Sequence, residues 1–412
     1  MIKIQNSPQS FSDDEPDGFP EIASDRMHRL PPYLFKKINS EKNRMRRENI
    51  DIIDLGMGNP NDPTPQLIVD KLKQASEIKR NQRYSVSVGI DNLRREAAKF
   101  YARHFEVPLD QDSEIIATIG SKEAFSHLCL AVLGPGDTVM VPSPFFPIHI
   151  YGPVIAGAQV VSIPMGSSDA DLLEHIDMMC TQLFPKPKVL ILNFPHNPTA
   201  KTVEKEFFAE IVKLAHKHRF YVIHDFAYGL TTFDSYRAPS FLSIPGAKEI
   251  GVEIFTTSKA FNMAEWRLGF AVGNSTMLSL LGEIKGYYDY GIFQAIQIAG
   301  IIALRECDAE MKKQADIYAL RRDVLHAGLC NLGFPVKKPL AGMFLWAKLP
   351  DQFQTMGSLE FSMRCLKDAH VVVTPGIGFG DGGEGYVRIA LVENEDRLKQ
   401  ALRQIKQVFF KE

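Results

Sequence analysis

Between residues 114 and 273 the sequence alternates short apolar runs with amphipathic segments, and this alternation constrains the fold more than any other feature. Apolar runs at 114–119, 137–141, 159–163, 189–192, 220–223, 253–255 and 268–272 each have the length of a strand. Within the series, segment 202–218 sets Phe207, Phe208, Ile211, Val212 and Ala215 at helical spacing. Strand–helix–strand order of this kind predicts βαβ units, an α/β fold and a mainly parallel sheet covered by helices. After residue 273 the texture changes. A long charged helix is expected over 309–332, short strands at 343–348, 370–374 and 386–390, and a closing helix from Glu395. An amphipathic helix at 33–49, before an apolar run at 52–55, is their expected companion. The chain therefore divides into a polar tail at 1–20, a large domain at 66–300, and a smaller α+β domain made of 21–65 and 301–412.

Composition excludes several functions. Hydrophobic residues make up 45% and charged residues 23%, which is ample material for a core and argues against a disordered chain. Lys+Arg number 47 and Asp+Glu 49, so no net basic field exists to draw nucleic acid or an anionic membrane. Segment 138–168 lacks any formally charged side chain, yet Pro142, Pro144, Pro147, Pro153 and Pro164 break it too often for a spanning helix. The five cysteines show no C-x-x-C spacing, so neither a zinc site nor a disulfide framework is expected, and a reducing compartment fits. Residues 1–20 are acidic and contain no apolar signal core. A soluble cytoplasmic protein without a metal is the expectation.

Five segments invite a chemical reading. The run G-F-G-D-G-G at 378–383 matches a dinucleotide fingerprint, but it leads into another strand rather than a long helix, so it reads as a turn. Gly120-Ser121-Lys122 lies between a strand and a helix, where free N–H groups and the helix dipole favour an anion. N-F-P-H-N-P-T at 193–199 forces a defined turn after a strand. Asp225 ends the next apolar run; it either caps a following helix or needs a buried partner. T-T-S-K at 256–259, with Arg267 eight residues on, gathers hydroxyls and cations suited to a phosphate or carboxylate. Three of these segments fall at the carboxyl ends of different strands, where open α/β sheets hold ligands. Together they offer an anion cradle, an acid, amide donors and a lysine. That set suits a phosphorylated cofactor with a protonated ring and an amine-reactive aldehyde.

The order Y-x-x-x-x-G from Tyr84, G-S-K-E from Gly120, N-P-T from Asn197, D-x-A-Y from Asp225, S-K at 258–259 and R-x-G from Arg267 resembles the class I/II, fold type I, pyridoxal-phosphate aminotransferases. The similarity runs from about Arg29 to the end. It is nearest to a bacterial alanine aminotransferase subgroup, through R-L-P-P-Y at 29–33, D-L-G-M-G-N-P at 54–60, H-I-Y-G at 149–152 and P-G-I-G-F-G at 375–380; the LL-diaminopimelate aminotransferases share much of the pattern.

The resemblance implies roles. Lys259 would join the cofactor aldehyde and, once released, move a proton as a neutral base. Asp225 would hold the pyridine nitrogen protonated, and Tyr228 and Asn197 would bond its phenolic oxygen. Ser121, Lys122, Thr256, Ser258 and Arg267 would surround the phosphate. Tyr84 would reach it from a neighbouring subunit, making the enzyme a homodimer with shared active sites. Arg388 would grip the substrate α-carboxylate, helped by the Gly58 N–H and Asn197, and Tyr33 would face the side chain. Phe146 stands where the family usually carries Tyr or Trp against the ring; stacking is retained and the hydroxyl is lost. Dicarboxylate-specific relatives use an arginine that segment 283–297 lacks; it offers Lys285, Tyr287, Tyr288 and Tyr290 instead. Alanine with 2-oxoglutarate is thus the expected pair, in a ping-pong cycle. LL-diaminopimelate, methionine or aromatic amino acids, or a carbon–sulfur lyase reaction, are the alternatives.

Overall fold

The computed structural model describes residues 22–30 and 35–410. Tyr33 and the tail at 1–20 lie outside the described residues. The strands, in chain order, are β1 (Ile53–Asp54), β2 (Ile115–Thr118), β3 (Thr138–Ser143), β4 (Gln159–Pro164), β5 (Pro187–Asn193), β6 (Tyr221–Asp225), β7 (Gly251–Thr256), β8 (Gly269–Gly273), β9 (Phe344–Lys348), β10 (Val371–Val372), β11 (Thr374–Pro375) and β12 (Tyr386–Ala390).

Seven of them form one sheet in the order β2-β8-β7-β6-β5-β3-β4. Every pairing is parallel except the two made by β8. The apolar runs are continuous because both faces are covered. Leu190 and Leu192 pack in one core with Phe208 and Ile211, while Val189 and Ile191 pack in another with Phe125 and Leu128. The helix Lys205–His218 buries the five residues that its spacing marks, and it ends at Arg219 with φ 62°.

Register positions the site. Asn193 pairs with Asp225, and Thr256 with Gly269, which also pairs with Thr118. The ends of β2, β5, β6 and β7 therefore meet the start of antiparallel β8 at one edge. This is why Arg267, just before β8, lies beside Gly120, just after β2.

A third core surrounds β9 and β12, with Leu325, Phe344, Leu345, Ile389 and Leu398. Strands β11, β12 and β9 form an antiparallel sheet, and β1 pairs with β10 in parallel. The single strand expected at 370–374 is instead two. Val371–Val372 pairs with β1, and Thr374–Pro375 crosses to pair with β12, so the chain changes sheet at Val373. Arg321, on the helix Asp308–Asn331, grips Asp62 through two bonds of 2.7 Å and holds the segment after β1 in place.

Candidate active site

Lys259 follows β7 in a tight turn. Its Nζ donates to the Gly58 carbonyl at 2.7 Å. Burial, then the positive charges of Arg388 and Arg267, lower its pKa from 10.5 to about 8, against the pull of Asp225. A lysine in this state yields a neutral amine near neutral pH far more readily than a surface lysine.

Asp225 ends β6 and is almost fully enclosed. No helix follows it, so it is not a helix cap; its Oδ1 accepts the Ala227 N–H at 3.3 Å in a turn. Its Oδ2 lies 3.0 Å from His149 Nε2. Sequence reasoning assigns His149 no chemical role. It sits on the helix Ile148–Ile155 beside Phe125 and Phe146; the H-I-Y-G motif marks the residue, but nothing local points to its pairing with Asp225. Asn193 Nδ2 donates to the Asp225 carbonyl at 2.7 Å, and Asn193 Oδ1 accepts the Asn197 N–H at 2.8 Å. One asparagine thus ties the acid to the turn that carries the other.

Arg388, on β12, donates to Asn197 Oδ1 at 2.7 Å and to the Gly56 carbonyl at 2.9 Å. Its guanidinium carbon lies 4.1 Å from the Phe344 ring centre and 4.7 Å from that of Phe379. Cation–π contact with the two rings holds the planar fork. Phe379 belongs to the glycine-rich turn between β11 and β12, so the segment set aside as a cofactor loop supports the arginine instead. A Cβ at Gly58 would come 2.4 Å from Phe344 Cζ, so the backbone there packs directly on the same ring. Tyr228 is buried against Phe344, and burial, together with Asp225, pushes its hydroxyl pKa well up despite Arg388.

The anion cradle lies at the edge of the sheet. The helix Ser121–Val132 begins after Gly120, whose φ is 75°. A Cβ on Gly120 would come 2.3 Å from an Arg267 Nη atom, so only glycine lets the guanidinium approach this turn. Thr256 Oγ1 donates to Ser258 Oγ at 2.9 Å, and both residues are buried. Lys122 is exposed. Phe146 lies beside His149, ring centres 5.8 Å apart.

These residues fit pyridoxal phosphate by the chemistry of their donors. Hydroxyls, a guanidinium and a helix start suit the phosphate; an enclosed carboxylate suits a cationic ring nitrogen; a lysine of lowered pKa suits the aldehyde. Two expected residues stand apart. Tyr84 is 86% exposed and touches Tyr290, with ring centres 4.8 Å apart. Lys285, considered above for a substrate's distal carboxylate, is instead fully buried between Glu123 and Asp289. Among the described residues no helix is long and apolar enough to cross a membrane.

Comparison with known proteins agrees with this chemistry. The family model for aminotransferase class I and II matches residues 50–405. The chain is 48% identical to the glutamate-pyruvate aminotransferase AlaC of Escherichia coli, over 95% of each chain. It is 41% identical to an LL-diaminopimelate aminotransferase of Maridesulfovibrio salexigens, over 93% of this chain and 98% of that one. Among solved structures, substrate-bound BacF of Bacillus subtilis superposes with a TM-score of 0.87 at 32% identity, covering 94% of this chain and 98% of that one. A Thermus thermophilus aspartate aminotransferase variant gives 0.87 at 25% identity, covering 95% and 100%.

Proposed function

The chain belongs to the class I and II aminotransferases, pyridoxal-phosphate enzymes of fold type I, and we propose that it moves the amino group between alanine and 2-oxoglutarate in a ping-pong cycle. The observation that carries the reading is the meeting of Lys259, Asp225 and Arg388 at the strand ends. The likeness to a glutamate-pyruvate aminotransferase supports the substrate pair. The likeness to LL-diaminopimelate aminotransferases favours LL-diaminopimelate as the second reading.

When bound, pyridoxal phosphate supplies an aldehyde that captures the amino group and a cationic ring that withdraws electrons from the substrate Cα. The chain's own residues supply the rest. Arg388 binds the α-carboxylate with two parallel donors, its plane fixed by Phe344 and Phe379. Lys259 Nζ would act as the neutral base that takes up and moves the substrate's Cα proton. Asp225 would hold the proton on the ring nitrogen, and His149 holds Asp225. Ser121, Lys122, Thr256, Ser258 and Arg267 would hold the phosphate. Tyr228 and Asn197 would bond the phenolic oxygen, and Phe146 would lie against the ring.

We further propose a cytoplasmic homodimer in which Tyr84 enters the neighbour's site. An exposed aromatic patch of Tyr84, Tyr287, Tyr288, Tyr290 and Phe293 supports a partner surface there. We propose 66–300 as the cofactor-bearing domain and 21–65 with 301–412 as the smaller one; the core around Phe344 and Leu398 supports two bodies, although Tyr228 and Phe233 also enter it and Ile302, Ala303, Leu304 and Cys307 pack in the large core. Borohydride reduction of the holoenzyme and peptide mapping should place the pyridoxyl label on Lys259; a label on another lysine would overturn the assignment.

A further inference from the structure

Behind the turn that begins the helix Ser121–Val132 lies a charged cluster with no part in the chemistry above. Lys285, in the last turn of the helix Ser275–Tyr288, is 0% exposed. Its Nζ lies 3.2 Å from Glu123 Oε1 and 3.2 Å from Asp289 Oδ2. His127 Nδ1 lies 2.6 Å from the same Glu123 oxygen and 4.0 Å from Asp289 Oδ2. The His127 ring packs against Tyr288, with centres 5.0 Å apart. Glu123, His127 and Asp289 have the spacing of a cation site, but the lysine ammonium already bridges the carboxylates.

A buried ammonium persists only where nearby groups satisfy it, so the question is what its two carboxylates hold. Glu123 Oε2 accepts the Ile119 N–H at 2.7 Å, which fixes the turn leading into Gly120 and Ser121. Asp289 Oδ1 accepts the Gly291 N–H at 2.7 Å, and its carbonyl accepts Ser87 Oγ at 2.9 Å. Gln297 Nε2 donates to Ser85 Oγ at 2.8 Å, so the segment following Tyr84 is anchored at two points. One lysine thus joins the phosphate turn to the segment that presents Tyr84.

We infer that Lys285 is a positioning residue for the cofactor phosphate, acting through Glu123 on the helix start and through Asp289 on the Tyr84 segment. The inference rests on the reading of Ser121, Lys122 and Tyr84 as phosphate contacts. Charge adds to geometry. Burial raises the Glu123 pKa, but His127, Lys285 and the Ile119 N–H outweigh it, so the carboxyl stays below its ordinary value and ionised. Without Lys285, two carboxylates would face each other beside an anion site. They would push the turn aside and repel the phosphate.

The test compares binding of pyridoxal phosphate and of pyridoxal, which lacks the phosphate, to wild-type and Lys285→Met apoprotein by absorbance titration. The Kd for pyridoxal phosphate should rise about tenfold or more, and that for pyridoxal by less than about twofold. Equal losses for both ligands, or no loss for either, would overturn the inference. A wild-type protein that does not prefer the phosphorylated ligand would overturn the phosphate reading, and this inference with it. If Lys285→Met does not fold, Asp289→Asn keeps the Lys285–Glu123 pair and the volume. It should shift the same ratio in the same direction by a smaller factor, and an unchanged ratio would refute the role.

Discussion

His149 Nε2 lies 3.0 Å from Asp225 Oδ2, and the imidazole is 2% exposed. The carboxylate would therefore meet a cofactor ring with both oxygens already held, Oδ2 by His149 and Oδ1 by the Ala227 N–H. Replacing His149 with Leu removes the Oδ2 partner and leaves an enclosed acid held by the longer Ala227 N–H bond. The expected result is a fall in kcat of roughly tenfold, about 1.4 kcal/mol, with a smaller change in alanine KM. His149→Gln, which keeps an N–H donor, should recover part of the loss. Steady-state kinetics of both variants check this, and equal losses would argue for packing alone.

Asp225→Asn should leave the cofactor bound and lower kcat by about 10²–10³ or more, because an amide does not keep the ring nitrogen charged. Absorbance of the purified variant reports cofactor content separately from turnover. Near-normal turnover would refute the role of Asp225.

How much of this site is legible in the sequence depends on chain distance. The strand-end segments at Gly120, Asn193, Asp225 and Thr256 announce themselves because apolar runs precede them and register lines up their ends. The His149–Asp225 pair spans 76 residues and joins a helix to a strand, so no local pattern marks it. The aromatic clamp on Arg388 joins β9 to the turn before β12, and phenylalanines in a core carry no label for such contact. Lys285 shows the opposite error. A lysine near tyrosines suggests an available cation, whereas folding encloses it between Glu123 and Asp289. The change of sheet at Val373 is equally hidden, because both flanking pairs are apolar or β-branched and read as one strand.

The lowered pKa of Lys259 predicts a pH profile. In the apoprotein the amine is protonated below about 8 and neutral above it, because burial, Arg388 and Arg267 disfavour the charged form. Only the neutral amine attacks the aldehyde. The rate of cofactor capture should therefore rise with pH through about 8 and then level off, well before the ordinary lysine value of 10.5. Stopped-flow reconstitution across pH measures it. A midpoint at or above 10 would show that the enclosure has little effect on this lysine.

Tyr84 is 86% exposed, and its ring rests on Tyr290, 4.8 Å away between centres. Mixing Tyr84→Phe subunits with Lys259→Ala subunits should give hybrid dimers in which one site carries both lesions and the other neither. Activity should exceed that of either parent preparation. No recovery, once mass measurement verifies the hybrids, would count against a shared site.

Substrate preference separates the α-carboxylate from the side chain. Arg388→Lys should lower kcat/KM for every donor and acceptor, because an ammonium does not reproduce the guanidinium fork that Phe344 and Phe379 hold flat. Selection among side chains must come from elsewhere. No arginine stands in segment 283–297, and its lysine is buried in an ion-pair cluster. An aspartate side chain would then meet no cation from this segment, and its desolvated carboxylate would weaken binding in the transition state. Alanine needs no such partner. The expected order in kcat/KM is alanine above aspartate, with glutamate accepted as the exchange partner through the tyrosines at 287, 288 and 290. Measuring alanine, aspartate, glutamate and LL-diaminopimelate on one preparation decides it. If aspartate or LL-diaminopimelate exceeds alanine by tenfold, about 1.4 kcal/mol of transition-state preference, the alanine assignment fails while the aminotransferase chemistry stands.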